Sequence, residues 1–319
     1  MEEGNRTSLT YFILVGLTEN PGFQPFLFAV FLCFYVVTVS GNTCIILAYR
    51  LCSALQTPMY FCLANFSFIE ICYVSTIVPK TLANFLAEHK TISFRGCALQ
   101  MYFGFLFGGA ECYMLAALGY DRYNAICFPL LYNTIMSRKA CLQLVLGSYL
   151  IAAGNALVHN VLTFALPFCG SNRINHFCCD VPPILELACA DTRINEAVLF
   201  GLAGCVIIGS FVFIMFSYIK IISAVLSMRS TSGRKKAFST CTSHFMVVAI
   251  FYGSAIFMYF RPKSAYSMYQ DRLASVMYTV IAPLLNPFIY TLRNNDIKVA
   301  LIKLIGKKSQ RPKIIIHCG

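Results

Sequence analysis

The sequence predicts an all-α membrane protein, a seven-transmembrane helix bundle with its N-terminus outside and its C-terminus in the cytoplasm. Three observations carry this. Of 319 residues, 58% are hydrophobic and only 12% charged, with a mean hydropathy of +0.68; a soluble domain of that balance would show water too much apolar surface. Seven apolar stretches recur with short polar breaks between them, each near the roughly 20 residues that a helix needs to cross the hydrocarbon core. Finally, Lys and Arg gather on alternate breaks, as cytoplasmic loops require.

The stretches cover 28–49, 58–82, 100–126, 140–162, 198–226, 237–259 and 273–292. Arg138 and Lys139 precede the fourth. Arg229, Arg234, Lys235 and Lys236 separate the fifth from the sixth, and Lys298, Lys303, Lys307, Lys308, Arg311 and Lys313 crowd the tail. These segments are inside. The opposite breaks carry acids such as Glu88, Asp180, Glu186, Asp191, Glu196 and Asp271, so an odd number of spans leaves the N-terminus outside. The expected organisation is an extracellular segment over 1–24, a seven-transmembrane domain over 25–292 and a cytoplasmic segment with a short amphipathic helix over 293–319. The net charge of +12 is then a topology signal, and its scatter over short loops argues against nucleic acid as a partner. The acidic opening lacks a secretory signal, so the first span is expected to direct its own insertion. Asn5-Arg6-Thr7 is a glycosylation acceptor on the external side.

Charges inside a membrane are expensive and therefore informative. Glu70 in the second span and Glu111 in the third can face one another, and two carboxyls in a low-dielectric site cannot both ionise unless a cation or proton is shared. The alternative is that they are simply protonated and hydrogen-bonded to neighbours. At the inner end of the third span, Asp121, Arg122 and Tyr123 can form a charge-assisted pair that holds the guanidinium until another partner competes, or Arg122 merely marks the helix end. Asn286-Pro287, with Tyr290 following, breaks the hydrogen-bond ladder of the seventh span and is either a hinge or a fixed bend. Five cysteines are external: Cys97, Cys169, Cys178, Cys179 and Cys189. Disulfides are expected on that oxidising side, and an odd count leaves a thiol over.

Taken in order, these residues resemble the rhodopsin-like G-protein-coupled receptors, and within them the odorant (olfactory) receptors. The resemblance rests on Gly41-Asn42, on Pro58-Met59-Tyr60-Phe61, and on Tyr120-Asp121-Arg122-Tyr123 running into Ala125-Ile126-Cys127. It continues through Ser217-Tyr218, Lys236-Ala237-Phe238-Ser239-Thr240-Cys241 with Ser243-His244, and Pro283 to Tyr290. The run from Lys236 to His244 is the most specific. The resemblance implies a Cys97–Cys179 disulfide and a second bridge between Cys169 and Cys189, leaving Cys178 free. It also implies that Asp121, Arg122, Tyr123, Tyr218, Asn286, Pro287 and Tyr290 form the coupling switch toward a stimulatory G protein of the olfactory type, raising cyclic AMP at the plasma membrane. Glu70 stands where most relatives carry Asp, Leu118-Gly119 replaces Met-Ala, and Asn124 replaces Val.

In helical bundles ligands sit between facing helices, among apolar groups with a few polar ones. Spacing of three and four puts Met101, Gly104, Phe105, Gly108 and Cys112 on one stripe of the third span. Similar stripes are Leu199, Leu202, Ala203 and Val206 on the fifth, Tyr252, Ala255, Ile256 and Tyr259 on the sixth, and Ser275, Val276 and Thr279 on the seventh. The composition points to a small, apolar, volatile ligand, and the resemblance makes that an odorant and implies that Tyr252 links pocket to core. No cofactor, metal or catalytic group is expected. A transporter would show internal repeats with paired broken helices, and a membrane enzyme would gather catalytic groups at one depth; the sequence has neither. His159, the His well within a span, reads as a hydrogen-bonded core residue.

Overall fold

Proline and serine punctuate the long helices. Helix α1 (Gln24–Leu51) has a proline in its first turn and α2 (Pro58–Leu86) opens on one, where the missing N–H costs nothing. Ser93 Oγ accepts the Gly96 N–H at 3.1 Å at the start of α3 (Phe94–Cys127). Ser137 Oγ accepts that of Ala140 at 3.3 Å at the start of α4 (Arg138–Phe164). Each satisfies one orphan donor of a first turn. Helix α5 (Arg193–Leu226) contains a wide π turn at Leu199–Ala203, and α6 covers Thr231–Tyr259. Helix α7 runs through Met268–Val276, a π turn at Met277–Ile281 and Ala282–Arg293. Asn294 Oδ1 then accepts the N–H groups of Asp296 and Ile297 and starts α8 (Asn295–Lys308).

This computed structural model describes residues 9–18, 20–227, 230–259 and 268–308; the Asn5 acceptor and the tail beyond Lys308 lie outside the described residues. Six helical stretches are long and apolar enough to cross a bilayer, and α6 adds a shorter apolar run, His244–Phe257. Together they make the seven-helix bundle. The helices overrun the predicted stretches, α3 beginning six residues before position 100, because caps rather than apolarity set helix ends. Large apolar side chains such as Leu150, Phe216 and Ile219 point outward, exposed by 72%, 60% and 64%. Inside lie Asn42, Glu70, Glu111, Asp121 and Asn286. That inversion suits a fold whose solvent is hydrocarbon and whose polar groups must be satisfied internally.

Helix α3 packs against α2, α4 and α5, and its Met114, Leu115 and Leu118 join Phe66, Ile214, Val247 and Tyr252 in the main core. Gly41 lets α1 meet α7: a Cβ there would lie 2.9 Å from Cβ of Pro287. Outside the bundle the chain adds a small sheet that hydrophobic periodicity did not announce. Strand β1 (Tyr11–Leu14) lies between β2 (Thr91–Ser93), antiparallel, and β3 (Arg173–Ile174), parallel. Phe12 and Leu14 alternate inward, fully buried with Ile92, Met101 and Ile184. Four residues are too few for a period of two to stand out beside the 29 residues of a span such as α2.

Two disulfides staple this cap, Cys97–Cys179 with Cα atoms 5.5 Å apart and Cys169–Cys189 at 5.9 Å. Cys178 stays a free, buried thiol. The loop between α4 and α5 is also pinned through His176, whose Nε2 lies 3.0 Å from Ser275 Oγ on α7 and whose Nδ1 lies 3.1 Å from the Cys178 carbonyl oxygen. Burial pushes this imidazole down to about 4, with the Arg272 charge acting in the same direction and the carbonyl contact opposing it.

The folded protein therefore holds His176 neutral down to about pH 4, while the unfolded chain takes up a proton near the ordinary histidine value of about 6.5. Stability contributed by the neutral ring is complete above about pH 6.5. It falls as pH drops toward 4, by about 1.4 kcal/mol per pH unit. Thermal unfolding of the purified protein should show this slope, and His176→Gln should flatten it; a pH-independent melting temperature between 4 and 6.5 in the unsubstituted protein would contradict the assignment.

Candidate functional site

A cavity of about 100 Å³ opens between α2, α3, α4, α5, α6 and α7 beneath the α4–α5 loop. Nine of the predicted ligand residues line it: Met101, Gly104, Phe105, Gly108 and Cys112 from α3, Ala203 and Val206 from α5, Ala255 from α6 and Thr279 from α7. The whole α3 stripe is present. Its glycines do make room, since a Cβ on Gly104 would meet nothing within 4 Å.

The other predicted positions sit elsewhere. Leu199 is buried in the outer cap with Phe12 and Met101, and Leu202 turns outward, 39% exposed. The π turn at Leu199–Ala203 widens the helix to more than four residues per turn, so spacing of three and four fails there. Ile256, one residue round from Ala255, faces out at 36% exposure, and Phe251 takes the inward place. Val276 packs among Tyr73, Phe31 and Val280, and Ser275 is engaged by His176. The side chain of Tyr259 lies outside the described residues.

Tyr252 is not on the cavity wall but under it. Its hydroxyl donates to Ser210 Oγ at 2.7 Å and to the Cys112 carbonyl at 3.3 Å, joining α6 to α5 and α3 just below Cys112 and Val206. His159 is buried with its ring 4.9 Å from that of Phe105, and among the described residues its Nε2 has no hydrogen-bond partner. The expected hydrogen bond there is replaced by a ring contact.

Several lining residues escaped the sequence reading. Gln100, Cys178, Cys179 and Asp180 form the roof, and Tyr73, Asn155, Ile207, Phe251 and Tyr278 complete the walls. Gln100 ties the roof down: its Oε1 accepts the Cys179 N–H at 2.9 Å while its Nε2 donates to the Thr76 carbonyl at 3.1 Å. The signal for the roof was available, because a bond from Cys179 to the top of α3 must bring its neighbours over that helix. Nothing in the spacing of α4 singled out Asn155.

The inner end holds a second set of contacts. Asp121 Oδ2 lies 3.7 Å from Arg122 Nε, while Tyr132 donates its hydroxyl to Oδ1 at 2.7 Å. The ion pair is thus looser than the hydrogen bond beside it. Tyr123 packs edge-on against Phe128, 5.6 Å between rings. Tyr218 donates to the Cys241 carbonyl at 3.2 Å and stands 2.7 Å from His244 Nδ1, while His244 Nε2 is 3.1 Å from the Leu115 carbonyl. His244, carried in sequence only as part of a signature, binds α6 to α3 and α5 together.

Between the two ends, Asn286 donates its amide to Glu70 Oε1, and Glu70 and Glu111 lie within hydrogen-bonding reach of each other. Among the described residues no donor reaches Glu70 Oε2 or either oxygen of Glu111, and the Tyr290 hydroxyl and Ser67 Oγ are likewise without partners. Two facing carboxyls make a hydrogen bond only when a proton sits between them. Tyr290 stacks edge-on against Phe66, and Pro287 rests on Gly41.

Comparisons with known proteins bear on the family of the chain. The sequence model of the olfactory receptor family matches residues 31–308. The chain is 51% identical over 310 residues to "Olfactory receptor 5AR1" of Mus musculus, spanning 97% of this chain and 100% of the relative, and equally so to the protein of that name from Homo sapiens. It is 49% identical over 303 residues to "Olfactory receptor 5AP2" of Homo sapiens, 95% of this chain and 96% of the relative. The chain belongs to the olfactory receptor family, whose members are multi-pass, odorant-sensing G-protein-coupled receptors of the plasma membrane rather than enzymes.

Proposed function

We propose that a small volatile odorant enters the cavity beneath the α4–α5 loop and that the bundle answers by releasing its inner end to a heterotrimeric stimulatory G protein of the olfactory type, raising cyclic AMP. The observation that carries this is the position of Tyr252. One hydroxyl touches α5 through Ser210 and α3 through the Cys112 carbonyl, directly below residues that line the cavity. Eight residues earlier on the same helix, His244 contacts the Leu115 carbonyl and Tyr218. A ligand that fits a different spacing of α3 and α5 disturbs the Tyr252 contacts first, and α6 transmits the change to His244 as a rigid rod. The equilibrium moves only by as much as the ligand prefers the second packing. Arg122, held by one long ion pair, is then the charge offered to the G protein, with Asp121, Tyr123, Tyr218, Asn286, Pro287 and Tyr290 as the rest of the switch.

In this reading 1–24 is extracellular and carries the Asn5 glycan, 25–292 is the receptor domain whose seven helices cross the lipid bilayer, and 293–319 is cytoplasmic. Glu70 and Glu111 form a site for a shared proton or a cation, whose presence favours the resting packing.

Cells with verified surface display, challenged with volatile odorants, should give a dose-dependent rise in cyclic AMP. Arg122→Ala should abolish it at equal surface density; normal signalling by that variant would refute the switch. Glu111→Gln should change the sodium sensitivity of the agonist response. If both the response and its sodium dependence stayed as in the unsubstituted receptor, Glu70 and Glu111 would be packing residues only.

A further inference from the structure

The cavity wall divides its polar groups into those already occupied and those left over. Gln100 uses both ends of its amide, on Thr76 and Cys179. Thr279 Oγ1 donates to the Ser275 carbonyl at 2.6 Å. Asp180 accepts the Val181 N–H at 2.8 Å, with the Tyr278 hydroxyl 3.4 Å from its other oxygen. The Tyr73 hydroxyl and the Asn155 carboxamide remain: both residues line the cavity, and neither side chain hydrogen-bonds to another described residue. Tyr73 is 4% exposed, so its hydroxyl has little to face but the cavity.

These two groups flank α3 from opposite sides. A Cβ on Gly108 would lie 3.7 Å from the Tyr73 ring, on the α2 side, and one on Gly109 would lie 3.3 Å from Ala152 Cβ, on the α4 side. Asn155 follows Ala152 by three residues, the same face of α4 one turn nearer the outside. Between them the wall is apolar or a satisfied polar group.

Resting on the reading of this cavity as the odorant site, we infer that its ligand carries two separated oxygen functions, one engaging Tyr73 and the other Asn155. A diketone, a hydroxyketone or a diol of modest length has that chemistry. A ligand with one oxygen leaves one of the two groups desolvated without a partner, and one with none leaves both. An engineered apolar cavity of about 150 Å³ takes benzene, so the space available here suits compact members of the class.

The test compares straight-chain monoketones, the diketones and hydroxyketones of the same chain lengths, and the parent alkanes, read by cyclic AMP in cells with surface display measured in parallel. Diketones or hydroxyketones should act at about tenfold lower concentration than monoketones, with alkanes weakest. Tyr73→Phe and Asn155→Leu should each erase that preference at equal display. Equal potency of the mono- and difunctional sets in the unsubstituted receptor overturns the inference and needs no variant to fold. So does a preference that survives both substitutions. Silence toward all three sets overturns the inference together with the cavity reading beneath it, whereas a response without preference overturns the inference alone.

Discussion

Cys179 is bonded to Cys97 at the outer end of α3, and the upper half of the molecule takes its position from that bond. The loop from 165 to 192 is long enough to wander, yet one covalent point sets Cys178 and Asp180 over the bundle axis. Gln100, one turn along α3 from Cys97, can then reach the Cys179 amide. His176 reaches α7 from the same anchor. Closing so long a loop is entropically costly, and the bond meets that cost once, so each later contact needs only side-chain order.

How far the sequence reveals this structure depends on the length scale of the signal. A span repeats its apolar signal over many residues, and all seven stretches stand out because lipid tolerates little else. The α3 stripe was legible for the same reason: spacing of three and four along a regular helix is geometry. Leu202 and Ile256 mark where that stops. A π turn displaces the first, and a stripe drawn one residue too wide includes the second. Tyr73, Asn155 and the roof belong to tertiary placement. Asn155 is one of two asparagines on its helix, beside Asn160, and only the distance to other helices shows that it faces the cavity.

The inner half relies on hydrogen bonds across helices, whereas the outer half adds two disulfides to such bonds. His244 to the Leu115 carbonyl and Tyr60 to Asn294 and Asp296 join elements far apart in sequence, while Tyr132 to Asp121 and Tyr218 to the Cys241 carbonyl join nearer ones. Such bonds exchange readily where covalent ones do not. On the proposed function, this asymmetry matches the two tasks, a shaped cavity kept at the outer face and a rearrangement at the inner one. Gly41 against Pro287 sits at the join, a close backbone approach that no larger side chain would permit.

The order of the outer sheet bears on how the molecule is made. Its central strand, Tyr11–Leu14, comes from the first residues of the chain, yet one neighbour is Thr91–Ser93 and the other Arg173–Ile174. During synthesis the opening segment must wait on the far side of the membrane until two helices have inserted before it finds one partner, and until four have inserted before it finds the second. Phe12 and Leu14 keep their apolar faces uncovered through that interval, because the surfaces that bury them come from those later segments.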